Sequence, residues 1–317
     1  MSSDRFGYLI EKIVRADFTE EPFRHIYLED FFTEQDFTEV CAAKENALPP
    51  AADDAALLDS MFESGYQIIE FPGCITDKNA YLEWRHRGAG DVQAHTACEG
   101  FGMTLRLTRP HSPILTELKS FLESEALGAA LAAKFAVTVD DCTFDTGIQK
   151  YLDGYEISPH PDVRRKALTF MVNINPHENS EQLDHHTHYM RFRTQRAYVK
   201  AFWDGNPAID RCWVPWDWCE TVSVQRRNNS IVVFAPSNET MHAVRASYDH
   251  LGGQRTQLYG NLWYKTSEMD GVIEWEQFDL RPPIARPISK RQSLLRALGR
   301  RLPSPVKSKL KRLIRRS

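Results

Sequence analysis

The stretch from about residue 138 to about residue 266 most constrains the fold, because it consists largely of short β-branched and aromatic segments. Turn-forming residues such as Arg227-Asn228-Asn229 and Gly252-Gly253 separate them. The segments read CTFDTGIQKYL, KALTFMVNIN, ETVSVQ, SIVVFA, HAVRA and QLYGNLWY. No helical pattern lies between most of them, and strands joined by turns pair antiparallel. We therefore predict an antiparallel, barrel- or sandwich-like core over residues 136–280.

Residues 1–135 are predicted to be mostly helical and to pack on this core. Thr33 fits a helix N-cap, with the acid Asp36 three residues later, and it predicts a helix that runs to about Asn46. Residues 113–135, PILTELKSFLESEALGAALAAKF, carry apolar residues at helical spacing and predict two short helices. The predicted fold class is therefore α+β, mainly β with flanking helices.

Residues 281–317 form a basic tail that contains prolines. The tail holds 13 Lys and Arg and no acid, which leaves 26 basic and 43 acidic residues in the rest of the chain. Its leucines fall on one face of two short segments, which fits a solvated end, peripheral contact with an anionic membrane, or binding of a protein or nucleic acid. Because the body of the chain is acidic, we expect no specific nucleic-acid partner for it.

Three features of the sequence favour a cytoplasmic protein, peripheral to a membrane if the tail binds lipid. No run of about 18 apolar residues occurs, so no membrane-spanning helix is expected. The N-terminal sequence, MSSDRFGYLIEKIVRADF, carries early acids and lacks the apolar centre of a secretory signal. The six cysteines include no CxxC pair and are expected to be reduced thiols.

The short stretch SPHPDV, residues 158–163, places His160 and Asp162 two positions apart. On a strand, residues with this spacing point to the same face. Two imidazoles and one carboxylate on one face of a metal are typical of non-haem Fe(II) centres. His242, which follows the apolar segment SIVVFA and a short turn, is the best candidate for the second imidazole. Taken alone, SPHPDV also fits a loop histidine beside an aspartate that caps a turn.

Arg255 opens the last strand-like segment and is a candidate to bind a carboxylate in a bidentate pair. A surface salt bridge is the simpler alternative for it. Arg245 is its rival, but Arg245 lies three residues past His242. On a regular strand the two side chains would face opposite sides, so Arg245 is the weaker pocket residue.

Four pieces of the sequence come in the order found in one known family. They are IQKYLDGYEISPHPDV, RKALTFMVNIN, NNSIVVFAPSNETMHAV and the downstream Arg255. Residues from about 140 to about 266 thereby resemble the Fe(II)- and 2-oxoglutarate-dependent dioxygenases, in their prolyl-4-hydroxylase-like branch. The resemblance implies a double-stranded β-helix, that is, a cupin-like jelly-roll core.

The resemblance also implies a site and a reaction. His160, Asp162 and His242 would hold Fe(II), Arg255 and Tyr151 would bind 2-oxoglutarate, and ascorbate could serve as reductant. The enzyme would hydroxylate a small-molecule or peptidyl substrate and release succinate and CO2. The presence of Asp162 disfavours halogenation, which in this family goes with loss of the carboxylate.

Two further positions depart from patterns found in the family. Asn261 stands where members that repair alkylated nucleic acids carry a second arginine, which disfavours that activity. Gln257 stands where many relatives have a serine that helps to hold the cosubstrate carboxylate. The details of cosubstrate binding in this chain are therefore expected to differ from those of such relatives.

Several alternatives stay open at the level of sequence. A non-catalytic jelly-roll binding module would share the strands, and desaturation or epimerisation would share the metal ligands. The cluster His185, His186 and His188 could bind a second metal, but we expect a polar substrate-facing loop or plain surface, since nothing around it looks like a strand. The long segment between Pro176 and Cys219 also contains tryptophans that could line a substrate pocket or pack in a core: Trp203, Trp213, Trp216 and Trp218.

Overall fold

The computed structural model describes residues 5–71, 73–86, 100–138, 142–206, 209 and 211–265. The basic tail, and with it the prediction of membrane contact, lies outside these residues. The helices are α1 (Tyr8–Arg15), α2 (Glu34–Ala42), α3 (Asp54–Glu63), α4 (Lys78–His86), α5 (Pro113–Leu122), α6 (Glu125–Phe135) and α7 (Tyr198–Asp204). The strands are β1 (Ile26–Leu28), β2 (Tyr66–Ile68), β3 (Thr104–Leu107), β4 (Cys142–Tyr151), β5 (Glu156–His160), β6 (Lys166–Asn173), β7 (Thr187–Phe192), β8 (Cys219–Gln225), β9 (Ile231–Phe234), β10 (His242–Arg245) and β11 (Arg255–Tyr264).

The strands form two antiparallel sheets whose order defines a jelly roll. The larger sheet has the order β1-β9-β6-β11-β4-β3-β2, and the smaller has the order β5-β10-β7-β8. From β4 onward the chain crosses repeatedly from one sheet to the other, so the first strand pairs with the last and the second pairs with the last but one. The predicted fold class, α+β with a jelly-roll core, is confirmed.

The larger sheet buries an apolar outer face under the N-terminal helices. Side chains alternate along a strand, so Leu258 and Leu262 of β11 share this face with Leu168 and Val172 of β6. All four belong to one apolar cluster that also includes residues of α1, α3, α5 and α6. Each large buried side chain of this kind contributes about 1.5–3 kcal/mol, so the helices and the sheet stabilise each other. The opposite, inner face of the sheet is therefore available for polar and charged residues.

The predicted helices form, with shifted ends. Thr33 caps α2, because its side chain accepts a hydrogen bond from the Asp36 N–H at 3.1 Å. The helix ends at Ala42 instead of near Asn46, because the Asn46 side chain bonds back to the Val40 carbonyl and the chain turns there. Ser124 caps α6 and separates it from α5, as the sequence predicts.

The segment between Pro176 and Cys219 contains a strand that the sequence pattern did not indicate. β7 lies between β10 and β8 in the smaller sheet, and His188 is its second residue. The expectation that nothing around the histidine cluster is strand-like was therefore wrong. The reason is that the inward side chains of β7 are polar or aromatic, so its apolar alternation is weak.

Among the helices of the described residues, none combines the length and the apolar character needed to cross a bilayer.

Candidate metal centre

His160 and His242 lie side by side in the smaller sheet. The two residues are directly opposite in the β5–β10 pairing, and their ring centroids are 4.3 Å apart. Both rings are buried. The Nδ1 atom of His160 lies 2.9 Å from the Ser158 carbonyl, and that of His242 lies 2.8 Å from the Thr240 carbonyl. A carbonyl only accepts, so each Nδ1 carries the proton and each Nε2 keeps a lone pair for a ligand.

Asp162 completes a group of three potential ligands. Its Oδ1 lies 3.7 Å from His160 Nε2 and its Oδ2 lies 3.9 Å from His242 Nε2. One ligand atom from each residue falls within 4.8 Å of the others, and among the described residues this is the group of His, Cys, Asp and Glu side chains that could hold a metal ion. Three such donors on one side suit a divalent transition metal.

Asp162 does not lie on the strand, as the spacing alone suggested. β5 ends at His160, and Asp162 adopts a left-handed backbone with φ 71°. Pro161 lacks an N–H donor and ends the ladder, so the site lies at the end of a strand. The turn brings the carboxylate back toward the two imidazoles. A left-handed conformation is costly for a residue with a side chain, and such outliers concentrate at functional sites.

Two neighbours hold the Asp162 carboxylate in place. Lys166 Nζ lies 2.7 Å from Oδ1, and the Thr169 hydroxyl donates to Oδ2 at 2.7 Å. Burial alone would raise the pKa of Asp162, but the Lys166 charge and the two histidines hold it well below its usual range. Burial and the His160 ring lower the pKa of His242 to about 3. The site therefore offers a carboxylate and a neutral imidazole at neutral pH, the forms that bind metals.

Arg255 lies inside the barrel, where it begins β11 opposite Tyr151 of β4. Its side chain is 1% exposed, and its guanidinium stacks over the Tyr151 ring at 4.4 Å. Nη2 donates to the Thr187 hydroxyl at 2.9 Å. Its Nε and Nη1 atoms have no hydrogen-bond partner among the described residues. A buried guanidinium with two unpaired donor nitrogens is costly unless an acceptor, such as a carboxylate, binds there.

Tyr151 and Gln257 surround this arginine in different ways. The Tyr151 hydroxyl lies 2.6 Å from the Gln149 side-chain amide. Burial raises the pKa of Tyr151 to about 12, so it stays a neutral hydrogen-bonding group. Gln257 donates to the Asn173 side chain at 2.9 Å. Gln257 is thus engaged with the neighbouring strand β6.

The other candidates fall outside this arrangement or at its edge. Arg245 is exposed and forms a bidentate ion pair with Glu156, at 2.8 and 3.0 Å. Trp213 stacks on His160 with a centroid distance of 6.4 Å, whereas Trp203 is buried beneath the Arg164 guanidinium. Trp213 is therefore the tryptophan that contacts a candidate ligand.

The histidine cluster divides between buried and half-buried residues. His185 and His186 are only 1% and 2% exposed, so the expectation of plain surface was wrong for both. They are buried because the chain that leads into β7 runs alongside β10, with Asp184 bridged to Ser247. Among the described residues they join no metal-binding group.

Sequence reasoning did not find Lys166, Thr169 or Thr187. The available signal was alternation: Thr169 and Asn173 are polar residues two strand periods apart in the otherwise apolar segment KALTFMVN. Such positions mark a strand face that carries polar residues. Neither Lys166 nor Thr187 carries a comparable signal, because their contacts with Asp162 and Arg255 depend on the tertiary fold.

No protein-family model matches the sequence, and no curated protein matches it. A prolyl hydroxylase from Trichoplax adhaerens, solved with a hypoxia inducible factor peptide fragment, is 9% identical, with 83% of this chain and 90% of that chain covered and a TM-score of 0.40. A prolyl-4-hydroxylase from Pseudomonas putida is 14% identical over 66% and 98%, with a TM-score of 0.32. EvdO2 from Micromonospora carbonacea var. aurantiaca, solved with 2-oxoglutarate, is 11% identical over 69% and 94%, with a TM-score of 0.32.

Proposed function

We propose that this protein is an Fe(II)- and 2-oxoglutarate-dependent oxygenase that hydroxylates its substrate with release of succinate and CO2. One observation carries the proposal. A buried His160, Asp162 and His242 group shares the interior of a jelly roll with a buried arginine, Arg255, whose donors are partly unpaired. A metal and a dicarboxylate together would satisfy both features.

The donor set fits Fe(II). Two imidazoles and one carboxylate leave further positions of the metal open, as the chemistry of oxygen-activating iron requires. The Nε2 atoms of both histidines face the carboxylate, at 3.7 and 3.9 Å. The ring orientations are fixed by the backbone carbonyls behind them, which is the outer hydrogen-bonding expected of metal-bound histidines.

The environment of Arg255 fits the far carboxylate of 2-oxoglutarate. A carboxylate can form a bidentate pair with one unpaired donor of Arg255, Nε or Nη1, together with the second N–H of Nη2, and the ring of Tyr151 supports the guanidinium from below. Thr187 holds the third nitrogen and fixes the plane of the fork. When bound, iron with 2-oxoglutarate would supply the oxidising chemistry, and ascorbate could keep the iron reduced.

The remaining residues orient the ligands and limit the access of water. Lys166 and Thr169 keep the Asp162 carboxylate charged and aimed at the two histidines. The rings of Trp213 and Phe234 flank His160 and His242, with centroid distances of 6.4 and 5.1 Å. Apolar walls of this kind strengthen the charge interactions inside the site.

The rival function is a non-catalytic jelly-roll module. Such a module gains nothing from a buried carboxylate, lysine and arginine, because burying charges costs free energy unless they are used. Desaturation or epimerisation would use the same ligands, so analysis of the product separates these outcomes. A screen of small molecules and peptides for those that stimulate succinate release would identify the substrate.

The direct test is turnover of 2-oxoglutarate. Purified protein with Fe(II), ascorbate, oxygen and 2-oxoglutarate is expected to release succinate, and Asp162→Ala is expected to abolish it. Asp59→Ala is the matched control, because Asp59 pairs with Lys78 on an exposed surface. Under anaerobic conditions the wild type and the control should show the visible charge-transfer absorption of an iron–2-oxoglutarate complex. Failure of the wild type to bind either iron or 2-oxoglutarate would contradict the proposal.

A further inference from the structure

His185 lies on the same side of its segment as the residue that holds Arg255. Asp184 pairs with Ser247 through an isolated bridge, so the extended backbone of β7 begins before Thr187. Because side chains alternate along extended backbone, His185 shares the inner face with Thr187 and Tyr189. Thr187 accepts the hydrogen bond from Arg255 Nη2, and Tyr189 lies opposite His242.

The ring of His185 is buried near the Ser180 backbone and the Arg255 charge. It is 1% exposed, and neither Nδ1 nor Nε2 has a hydrogen-bond partner among the described residues. Tyr248 and His186 pack against it edge to face, with centroid distances of 4.7 and 4.5 Å. Nearly all buried polar groups in folded proteins are paired, so an unpaired buried imidazole calls for a partner from outside the chain.

The same environment links His185 to Arg255. The hydroxyl of Tyr248, whose ring contacts His185, accepts a hydrogen bond from the Arg255 backbone N–H at 2.8 Å. Burial and the Arg255 charge lower the pKa of His185 to about 2. The ring is therefore neutral, with one N–H donor, and adds no second positive charge to the pocket.

The other two histidines of the cluster differ in this respect. His186 Nε2 lies 3.0 Å from the Ser180 carbonyl, which anchors that ring to the backbone. His188 belongs to the opposite face of β7, where Nδ1 lies 3.1 Å from the Thr221 hydroxyl. Of the three, His185 alone is buried with both nitrogens unpaired among the described residues and faces the arginine side.

We propose that His185 and Arg255 bind one acidic group together, so that the N–H of His185 selects 2-oxo acids that end in a second carboxylate. One unpaired N–H of Arg255, from Nε or Nη1, and one nitrogen of His185 supply donors for the two oxygens of that group. This inference rests on the proposed function, because it assigns His185 to the binding of the same cosubstrate. Gln257, two residues past Arg255, is engaged with Asn173, and His185 would supply a hydrogen bond that Gln257 does not.

The test measures the binding of two 2-oxo acids to Ni(II)-loaded protein by titration calorimetry. 2-Oxoglutarate has the second carboxylate, and 2-oxopentanoate has a methyl group in its place. His185→Phe keeps a ring against Tyr248 and His186 but removes both nitrogens. We expect it to weaken 2-oxoglutarate binding about 10-fold or more, as loss of a hydrogen bond to a charged group does. Binding of 2-oxopentanoate should change by less than about 3-fold.

Two further variants separate this role from a packing role. His185→Gln restores an N–H donor and is expected to recover part of the lost affinity for 2-oxoglutarate. His188→Phe, the same substitution on the other face, is expected to bind both acids as the wild type does. Thermal melting and Ni(II) affinity show whether each variant is folded, and these should stay unchanged in His185→Phe.

The outcomes that contradict the role of His185 differ from the outcome that contradicts the proposed function. Equal loss of both acids in His185→Phe, or no loss of either, would overturn the role of His185 while leaving the oxygenase proposal intact. If His185→Phe does not fold, His185→Gln decides. It must then bind 2-oxoglutarate more weakly than the wild type does, while its affinity for 2-oxopentanoate stays unchanged. A wild type that binds Ni(II) but neither acid would overturn the proposed function and this inference together.

Discussion

Lys150 and Arg255 are buried cations on opposite faces of the same sheet. Lys150 of β4 lies on the outer face opposite Thr256, and Arg255 of β11 lies on the inner face opposite Tyr151. Both side chains are at most 1% exposed. Lys150 Nζ bonds to the Asn46 carbonyl at 2.7 Å and to the Thr256 hydroxyl at 2.8 Å. Arg255 bonds through Nη2 but leaves two nitrogens unpaired among the described residues.

The comparison distinguishes a buried cation that joins parts of the fold from a buried cation that keeps donors free for a ligand. A buried polar group whose hydrogen bonds run to other parts of the fold joins them, as Lys150 joins the sheet to the loop after α2. A buried group with unused donors costs free energy in the folded chain and is retained where a ligand uses it. The outer face of β11 is otherwise apolar, whereas its inner face carries Gln257 and Asn261 in hydrogen bonds with β6.

The largest effect on stability is expected from a substitution that removes apolar packing on the outer face of the larger sheet. Leu258 is fully buried between the sheet and the helices, so Leu258→Ala should lower the free energy of unfolding by about 2–5 kcal/mol. Leu258→Met nearly conserves volume and should cost less than about 1.5 kcal/mol. Urea denaturation measures both. A loss below 1 kcal/mol in Leu258→Ala would show that this face contributes little to stability.

Lys150, the cation on the outer face, should make the free energy of unfolding depend on pH. Burial lowers the pKa of Lys150 to about 7, from 10.5 for an unperturbed lysine. Between these values the unfolded chain holds a proton that the folded chain has lost, so the free energy of unfolding rises with pH. The rise is expected to be about 2–3 kcal/mol from about pH 7.5 to about pH 9.5.

Lys150→Met is the comparison for this pH dependence. The rise should be absent from Lys150→Met and present in Lys78→Met, because Lys78 forms its ion pair at the surface. Urea denaturation at several pH values gives the difference between each variant and the wild type. Parallel curves for the wild type and Lys150→Met would mean that Lys150 stays charged in the folded protein.

Arg255, the cation on the inner face, should affect the affinity for 2-oxoglutarate and not the free energy of unfolding. Arg255→Met removes the unpaired donors and is expected to weaken 2-oxoglutarate binding by about 10–100-fold. The free energy of unfolding without ligand should change by less than about 1 kcal/mol or increase, because a buried charge is removed. Arg245→Met, on the exposed face, is the matched control. A large loss of stability with unchanged affinity would assign Arg255 to the structure instead.

The smallest effect is expected at the carboxylate of the metal group. Thr169→Val removes the hydroxyl that donates to Asp162 Oδ2 and leaves the shape of the side chain nearly unchanged. Loss of such a second-layer hydrogen bond should lower metal affinity by about 10-fold. Competition titration with a chelator measures this change. Thr256→Val, on the outer face, should leave metal affinity as it is.

Strand texture predicted an antiparallel core, and the resemblance to a known family implied that this core is a jelly roll. The spacing of two pointed to His160 and Asp162, and the place of His242 after the apolar segment SIVVFA and a short turn made it the candidate for the second imidazole. The ending of β5 at Pro161 and the left-handed turn at Asp162 were not visible, since Asp at positive φ has no unique pattern. The strand β7 was missed because its inward residues, Thr187 and Tyr189, are polar or aromatic and leave only a weak apolar alternation, although Tyr189 packs in an apolar cluster.

The central claim is that the histidine–aspartate group and Arg255 form one site for a metal and 2-oxoglutarate. Calorimetric titration of 2-oxoglutarate into metal-free and Ni(II)-loaded protein tests it most directly. The account predicts saturable binding to the loaded wild type, and affinity at least about 10-fold weaker without metal or in loaded Arg255→Met. Binding of equal strength in all three samples, or no binding to the loaded wild type, would contradict it.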